Sequence, residues 1–253
     1  MLSIPKIIHQ IWWQGISQLP DKYRDYKDSW KIKHPNWIII YWDENKVINL
    51  VKKYYPNILK LLSEYQYMIQ KIDVAKYLIL YHYGGVYVDM DTICEQSLNN
   101  LFNKKEFMNY NFICSQMEII PFIKIINNGI IFSMKKHPLL EVLISQLKKY
   151  QEQRYYHNQD YYIMESTGPI FFHHIISEYK NSNVLILPEN YLESCTMLDY
   201  PKCDKKGNYI THHHTLSWST SYFRYIFIIG TNIKKYRLII IILIILLIIR
   251  YKN

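Results

Sequence analysis

The stretch Asp73-Val74-Ala75-Lys76-Tyr77-Leu78-Ile79-Leu80-Tyr81-His82-Tyr83-Gly84-Gly85-Val86-Tyr87-Val88-Asp89-Met90-Asp91 sets the architecture of this chain. Apolar residues from about Leu59 to Tyr83 follow a helical period, and Gly84-Gly85 is a natural stop. Val86-Tyr87-Val88 follows at once and reads as a strand, so Asp89 and Asp91 lie just past a strand end. Two acids two residues apart share one face of an extended chain, and a turn after Val88 converges both on one cation. Mg²⁺ or Mn²⁺ prefers such oxygen ligands and completes its shell with water and phosphate. Alone, Asp-x-Asp is a common spacing and reads as a solvated acidic loop. The preceding strand, glycine stop and helix give it meaning. On that helix Asp73 and Lys76 stand three apart, hence on one face. They form either a surface ion pair or a site where the acid accepts sugar hydroxyls and the cation meets phosphate.

Outward from this stretch, strands and helices alternate. Ile4 to Trp12 is short, β-branched and bounded by Pro5 and Gly15, which predicts a buried first strand. Leu19-Pro20-Asp21 starts a helix through Lys33, His34-Pro35-Asn36 is a turn, and Trp37 to Trp42 is a second strand. Asp43-Glu44-Asn45 opens the next helix. Asn127-Asn128-Gly129 turns into the strand Ile130-Ile131-Phe132, and His137-Pro138 introduces a helix over Leu139 to Tyr150. Tyr150 to Tyr162 reads as a polar surface loop, Ser166-Thr167-Gly168-Pro169 opens a further helix, and Val184 to Pro188 is a late strand. Alternation of this kind predicts an α/β sheet whose ligands gather at the carboxyl ends of its strands.

A chain of 253 residues with 49% hydrophobic residues buries a sizeable core and fits one catalytic domain, expected over 1–224. The net charge of +9 suits nucleic acid, anionic membrane or phosphate-bearing small molecules. Ile, Lys, Asn and Tyr are abundant and Gly numbers only 7, a coding bias that weakens the nucleic-acid reading, and none is expected as a partner. Cys94, Cys114, Cys195 and Cys203 form no C-x-x-C pair, which points to a reducing compartment. Met1 to Gln14 lacks the apolar core of a signal peptide, so secretion from the front end is not expected. Residues 225–253 form a basic and apolar tail. Its core, Leu238 to Ile249, is all Leu and Ile between cations. As a helix it spans only about 18 Å against a hydrocarbon core of about 30 Å. It either dips into or lies on a membrane, or is a buried terminus. The chain is accordingly membrane-associated through this tail or cytoplasmic.

The ordered blocks Ile4–Trp12, His34-Pro35-Asn36-Trp37, Asp73–Asp91, Asn127-Asn128-Gly129, Thr167-Gly168-Pro169 and His212-His213-His214-Thr215-Leu216-Ser217-Trp218 resemble a known family. It comprises the family 32 glycosyltransferases with an Asp-x-Asp sugar-binding region, including yeast-type α-1,6-mannosyltransferases, sphingolipid mannosyltransferases and capsule enzymes. The resemblance implies a GT-A fold, a UDP- or GDP-linked sugar donor, retention of configuration and Mn²⁺ or Mg²⁺. It implies a glycan, glycolipid or glycoprotein acceptor. By its motifs Asp89 and Asp91 match the metal and diphosphate site, and Asp73 the acid that holds the donor sugar; these three are the candidate catalytic residues. Gly84 and Gly85 keep the backbone open for the donor, and Tyr87 lies in the same block. Trp12 either stacks on the base or is a core tryptophan, and Asn128 either touches sugar or serves its turn. The closing block resembles the family's, which implies that a histidine ahead of Ser217 and Trp218 reaches the metal; otherwise these histidines form a solvated basic turn that contacts phosphate. Alternation on a strand turns His212 and His214 one way and His213 the other, and spacing to Trp218 favours His212. Lys76 stands where the family has arginine, keeping the charge without the planar fork.

Two other classes compete. A metal-dependent phosphohydrolase or nucleotidyltransferase needs further acids around two cations, for which Glu95, Glu118 and Glu165 lack a recognisable spacing. A basic membrane-bound interaction protein explains charge and tail but not the ordered blocks.

Overall fold

A computed structural model describes residues 4–120, 123–152, 158–180, 182–199, 203–226 and 228–230. The chain opens β1 (Ile7–Ile11), α1 (Arg24–Lys33), β2 (Ile38–Trp42), α2 (Glu44–Tyr54), as the alternation predicts. Asp43 starts α2 for a local reason: its Oδ1 accepts the Lys46 amide at 2.8 Å, satisfying one of the orphan donors of the first turn. The helical run expected over 59–83 is two helices, α3 (Pro56–Glu64) and α4 (Met68–Tyr83). They part because Tyr65 turns extended and Gln70 reaches back to cap the Tyr67 amide at 3.2 Å.

Next come β3 (Gly85–Val88), β4 (Thr92–Cys94), the short α5 (Asn99–Phe102), β5 (Phe112–Ile120), β6 (Ile123–Ile126) and β7 (Ile130–Ser133). The chain continues through α6 (Pro138–Glu152), α7 (Gln159–Ser166), α8 (Pro169–Glu178), β8 (Val184–Leu187), α9 (Glu189–Leu192) and β9 (Ile210–His212). The loop expected over 150–162 is helical at both ends, because α6 runs on to Glu152 and the Asn158 side chain caps α7 through the Tyr161 amide.

The sheet runs β2-β1-β3-β7-β5-β6, with β8 also on β5. The pairs β2–β1, β1–β3 and β5–β8 are parallel, whereas β7 lies antiparallel to both β3 and β5. This is the mixed, helix-flanked α/β sheet expected. Period-2 alternation divides its core. Tyr87 and Ile131 face α4, α6 and α8, while Val86, Val88, Ile130 and Phe132 pack against Trp30 and Leu101 on the other side.

Cys195 and Cys203 form a disulfide, which overturns the reduced state expected from scattered cysteines. Folding brings together thiols whose spacing carried no pattern; Cys94 and Cys114 stay free and buried. Residues 221–226 are helical, and Asp160 ties their start to α7 by accepting the Thr220 amide at 2.9 Å. Among the described residues no helix is long and apolar enough to cross a membrane, and the run Leu238 to Ile249 lies outside them.

Candidate active site

A cleft opens where β1 and β3 end, the switch-point position where α/β sheets hold ligands. Trp12, Asp73, Lys76, Asp89, Asp91 and His212 all line it. Its shape depends on a kink in the long strand antiparallel to β5. The register shifts between Gln116↔Ile126 and Ile113↔Phe132, so Asn127-Asn128-Gly129 is pushed out of the ladder. The Gly129 carbonyl then accepts the Asp89 amide at 2.9 Å, fixing the acidic pair beyond β3.

On the α4 side, Asp73 and Lys76 are buried, not a surface pair. The Lys76 ammonium lies 2.8 Å from Asp73 Oδ1 and 3.5 Å from Asp89 Oδ1, and donates to the Asn128 carbonyl at 3.3 Å. It also sits 4.7 Å above the Tyr87 ring, a cation–π contact. Burial works against the charge, but Asp73 and Asp89 outweigh it and raise the lysine's pKa. Burial pushes the Asp73 carboxyl the opposite way, upward, and Lys76 pulls against it. Asn128 Nδ2 donates to Asp73 Oδ1 at 3.0 Å and to the Tyr77 hydroxyl at 2.9 Å, and Thr167 Oγ1 donates to Asp73 Oδ2 at 3.0 Å. The corner is therefore charge-balanced and nearly saturated with hydrogen bonds.

On the β9 side, His212 Nε2 lies 3.1 Å from Asp91 Oδ1 and 3.8 Å from Asp89 Oδ2. The other oxygen of Asp91 accepts both the amide and the hydroxyl of Thr215, at 2.8 and 2.9 Å. To aim them there the chain holds His214 and Leu216 in the left-handed region, at φ 46° and 48°, each at a cost of about 1–2 kcal/mol. Burial raises the Asp91 carboxyl, yet His212 and Thr215 outweigh it and hold its pKa well below the ordinary range. His212 is raised well above the usual histidine range, Glu193 and Asp91 overcoming the opposite pull of burial. Tyr87 donates its hydroxyl to Asp89 Oδ1 at 2.7 Å.

The three histidines divide as expected, though not by strand alternation, since β9 ends at His212 and His214 is left-handed. The rings of His212 and His214 lie 3.9 Å apart on one side, and His213 turns away to stack on Tyr26. Asn128, Ser217 and Trp218 line the cleft, as does Trp12, whose indole N–H is buried without a partner among the described residues. Gly84 and Gly85 do not line the cleft: Gly84 caps the end of α4 and Gly85 begins β3, at the far end from Asp89. Both have positive φ, and a Cβ on Gly85 would lie 2.5 Å from the Ile7 carbonyl, so close strand packing accounts for them. Of the extra acids considered, Glu95 accepts from Thr211 Oγ1 outside the cleft, and Glu118 lies in the β5–β6 ladder opposite Lys124. The acid that does join the cluster is Glu193, which no local spacing announces. In the sequence Gly129 reads only as part of a turn. A Cβ there would lie 2.5 Å from His212 Cε1 and 2.8 Å from Asp89 Oδ2.

Strand β3 delivering two aspartates to a switch-point cleft, closed by a late histidine, defines the class: a GT-A glycosyltransferase. Residues 20–108 match the glycosyltransferase sugar-binding region containing the DXD motif. An uncharacterized glycosyltransferase of Acanthamoeba polyphaga mimivirus is 29% identical over 223 residues, 85% of this chain and 84% of the relative. Inositol phosphoceramide mannosyltransferase 1 of Schizosaccharomyces pombe is 31% identical over 182 residues, 71% of this chain and 53% of the relative. The chain thus spans about half the length of that yeast enzyme. Among solved structures, the glycosyltransferase domain of the YGT toxin shares the fold with a TM-score of 0.55 at 8% identity, over 74% of this chain and 81% of that one. The chain belongs to the family of glycosyltransferases that carry the DXD sugar-binding region.

Proposed function

We propose that this chain moves a hexose from a UDP- or GDP-linked donor to a glycan or lipid acceptor, with retention of configuration and with a divalent cation, Mn²⁺ or Mg²⁺. The observation that carries this is the convergence of Asp89, Asp91 and His212, whose ligand atoms all lie within 4.8 Å of one another at the cleft. Two carboxylates and one imidazole suit a divalent cation that keeps positions for phosphate. Gly129 supports the fit, since any side chain there would fill the space between His212 and Asp89. Breaking the anomeric bond leaves charge on the diphosphate, and a cation held by these residues supplies the compensating charge.

The chain's own groups have narrower tasks. Lys76 has three N–H donors facing Asp73, Asp89 and the Asn128 carbonyl, which leaves none for a phosphate; it acts by keeping two carboxylates compatible. Among the described residues Asp73 Oδ2 accepts only Thr167, and it retains a lone pair for a sugar hydroxyl. Trp12, with its unpartnered indole N–H, borders the cleft where the donor's base would lie. Mannose is the first donor to try, because the fission-yeast relative is named for mannosyl transfer to inositol phosphoceramide. Contact of 238–249 with a membrane surface belongs to the same proposal, and truncation after residue 230 followed by membrane fractionation tests it.

The decisive assay incubates the chain with Mn²⁺ and a panel of UDP- and GDP-sugars. Cation-dependent release of UDP or GDP is expected, lost in Asp91→Asn. Normal turnover by a folded Asp91→Asn variant refutes the cation reading. Release of nucleoside monophosphate instead identifies a phosphohydrolase.

A further inference from the structure

Behind His212, on the side away from the cleft, stands Glu193, with a side chain only 1% exposed. Its Oε2 lies 2.8 Å from His212 Nδ1 and 3.1 Å from His214 Nε2, and its Oε1 accepts Asn127 Nδ2 at 2.8 Å. A buried carboxylate surrounded this way is a fixed acceptor: its charge is compensated and both oxygens are engaged. Asn127 belongs to the same kink that brings Gly129 against His212, so one short segment shapes both sides of the ring.

A neutral imidazole has one N–H and one lone pair. An acceptor at Nδ1 holds the proton there and leaves the Nε2 lone pair directed at Asp91 and Asp89. We infer that Glu193 is a positioning residue for the cation site, fixing both the tautomer and the ring orientation of His212. The inference rests on the proposed role of His212 as a cation ligand. A competing arrangement exists, because ligand atoms of Glu193, His212 and His214 also lie within 4.8 Å of one another. Were they to hold a cation themselves, His212 Nδ1 would have to lose the proton that the cleft arrangement keeps on it, and the chain would bind two cations.

The test is Mn²⁺ binding without nucleotide, followed by loss of the free-ion electron paramagnetic resonance signal. Wild type should bind one Mn²⁺, and Glu193→Gln should fold while binding it about 10- to 100-fold more weakly, with Glu193→Asp recovering part of the loss. Unchanged affinity in folded Glu193→Gln overturns the positioning role alone, as does a second Mn²⁺ in wild type that the variant loses. A wild type that binds no Mn²⁺ overturns the parent reading along with it. Should Glu193→Gln not fold, ¹⁵N resonances of histidine-labelled wild type with Mg²⁺ give the answer directly. The proton is expected on His212 Nδ1; a proton on Nε2 refutes the inference.

Discussion

Two corners of one cleft treat the same residue type in opposite ways. On the α4 side Asp73 is answered by a lysine at 2.8 Å whose pKa is raised, so the compensating charge is permanent. On the β9 side Asp91 and Glu193 are answered by His212, whose compensation is a proton that can leave. The first corner carries its own cation; on the proposed reading the second exchanges a proton for one from solution. The difference teaches how three clustered aspartates are compensated within one fold, by a lysine at one corner and a histidine at the other. Lysine settles the charge that must never change, and histidine the charge that must be replaceable.

The harshest way to break this comparison is to remove the built-in cation. Lys76→Met strands two carboxylates, one of them fully buried, and should cost about 3–5 kcal/mol of stability, read as a lower urea midpoint at unchanged slope. A loss below 1 kcal/mol would mean that the α4 corner is hydrated and not self-compensated. On the other side, Asp91→Asn should leave the fold standing while turnover drops about 10²–10³-fold, measured as UDP or GDP release. Gly129→Ala should lie between the two in kind. Its Cβ meets His212 and Asp89, so we expect a destabilisation of about 1–3 kcal/mol together with weakened Mn²⁺ binding; wild-type Mn²⁺ affinity would show that the cation sits elsewhere.

The gentlest test uses pH. In the cation-free protein the folded pKa of His212 is raised above its unfolded value, so its stabilising contribution is complete below about pH 6.5 and fades as pH climbs toward the raised value. A cation needs the same nitrogen without its proton. The Tm gain at fixed Mn²⁺ should therefore grow from about pH 6 to pH 8, by a few degrees. The α4 corner offers no such trend, since Lys76 keeps its proton throughout; a flat Tm gain would erase the distinction between the two.

How much of this was legible varied with how local each feature is. Strands β1, β2 and β3 announce themselves through β-branched runs and sharp stops at Gly84 and at the turn after His34. Strand β5 does not: Phe112–Ile120 mixes Cys, Ser, Gln and Glu into its apolar residues, because its far half pairs with β6 and its near half with β7 and β8. Asp73, Asp89, Asp91 and His212 could be quoted from motifs. That Asp73 and Lys76 are buried had a signal too, since Val74, Ala75, Tyr77, Leu78 and Ile79 surround them with apolar residues on every side of the helix. Glu193 had none. It lies nineteen positions from His212 in sequence, and only tertiary folding makes them neighbours.

The disulfide acquires its meaning from that same stretch. Cys195 follows Glu193 by two residues, and Cys203 heads the segment that leads into β9 and His212. Closing so short a ring removes about 2.5 kcal/mol worth of disorder from the unfolded chain on the loop-entropy account. It also splints the carboxylate to the imidazole it orients. On the proposed cation reading, a thiol reductant in the assay buffer would act as a remote antagonist of the cation, loosening the site without touching it. Assays with and without reductant would be expected to describe two differently tuned enzymes.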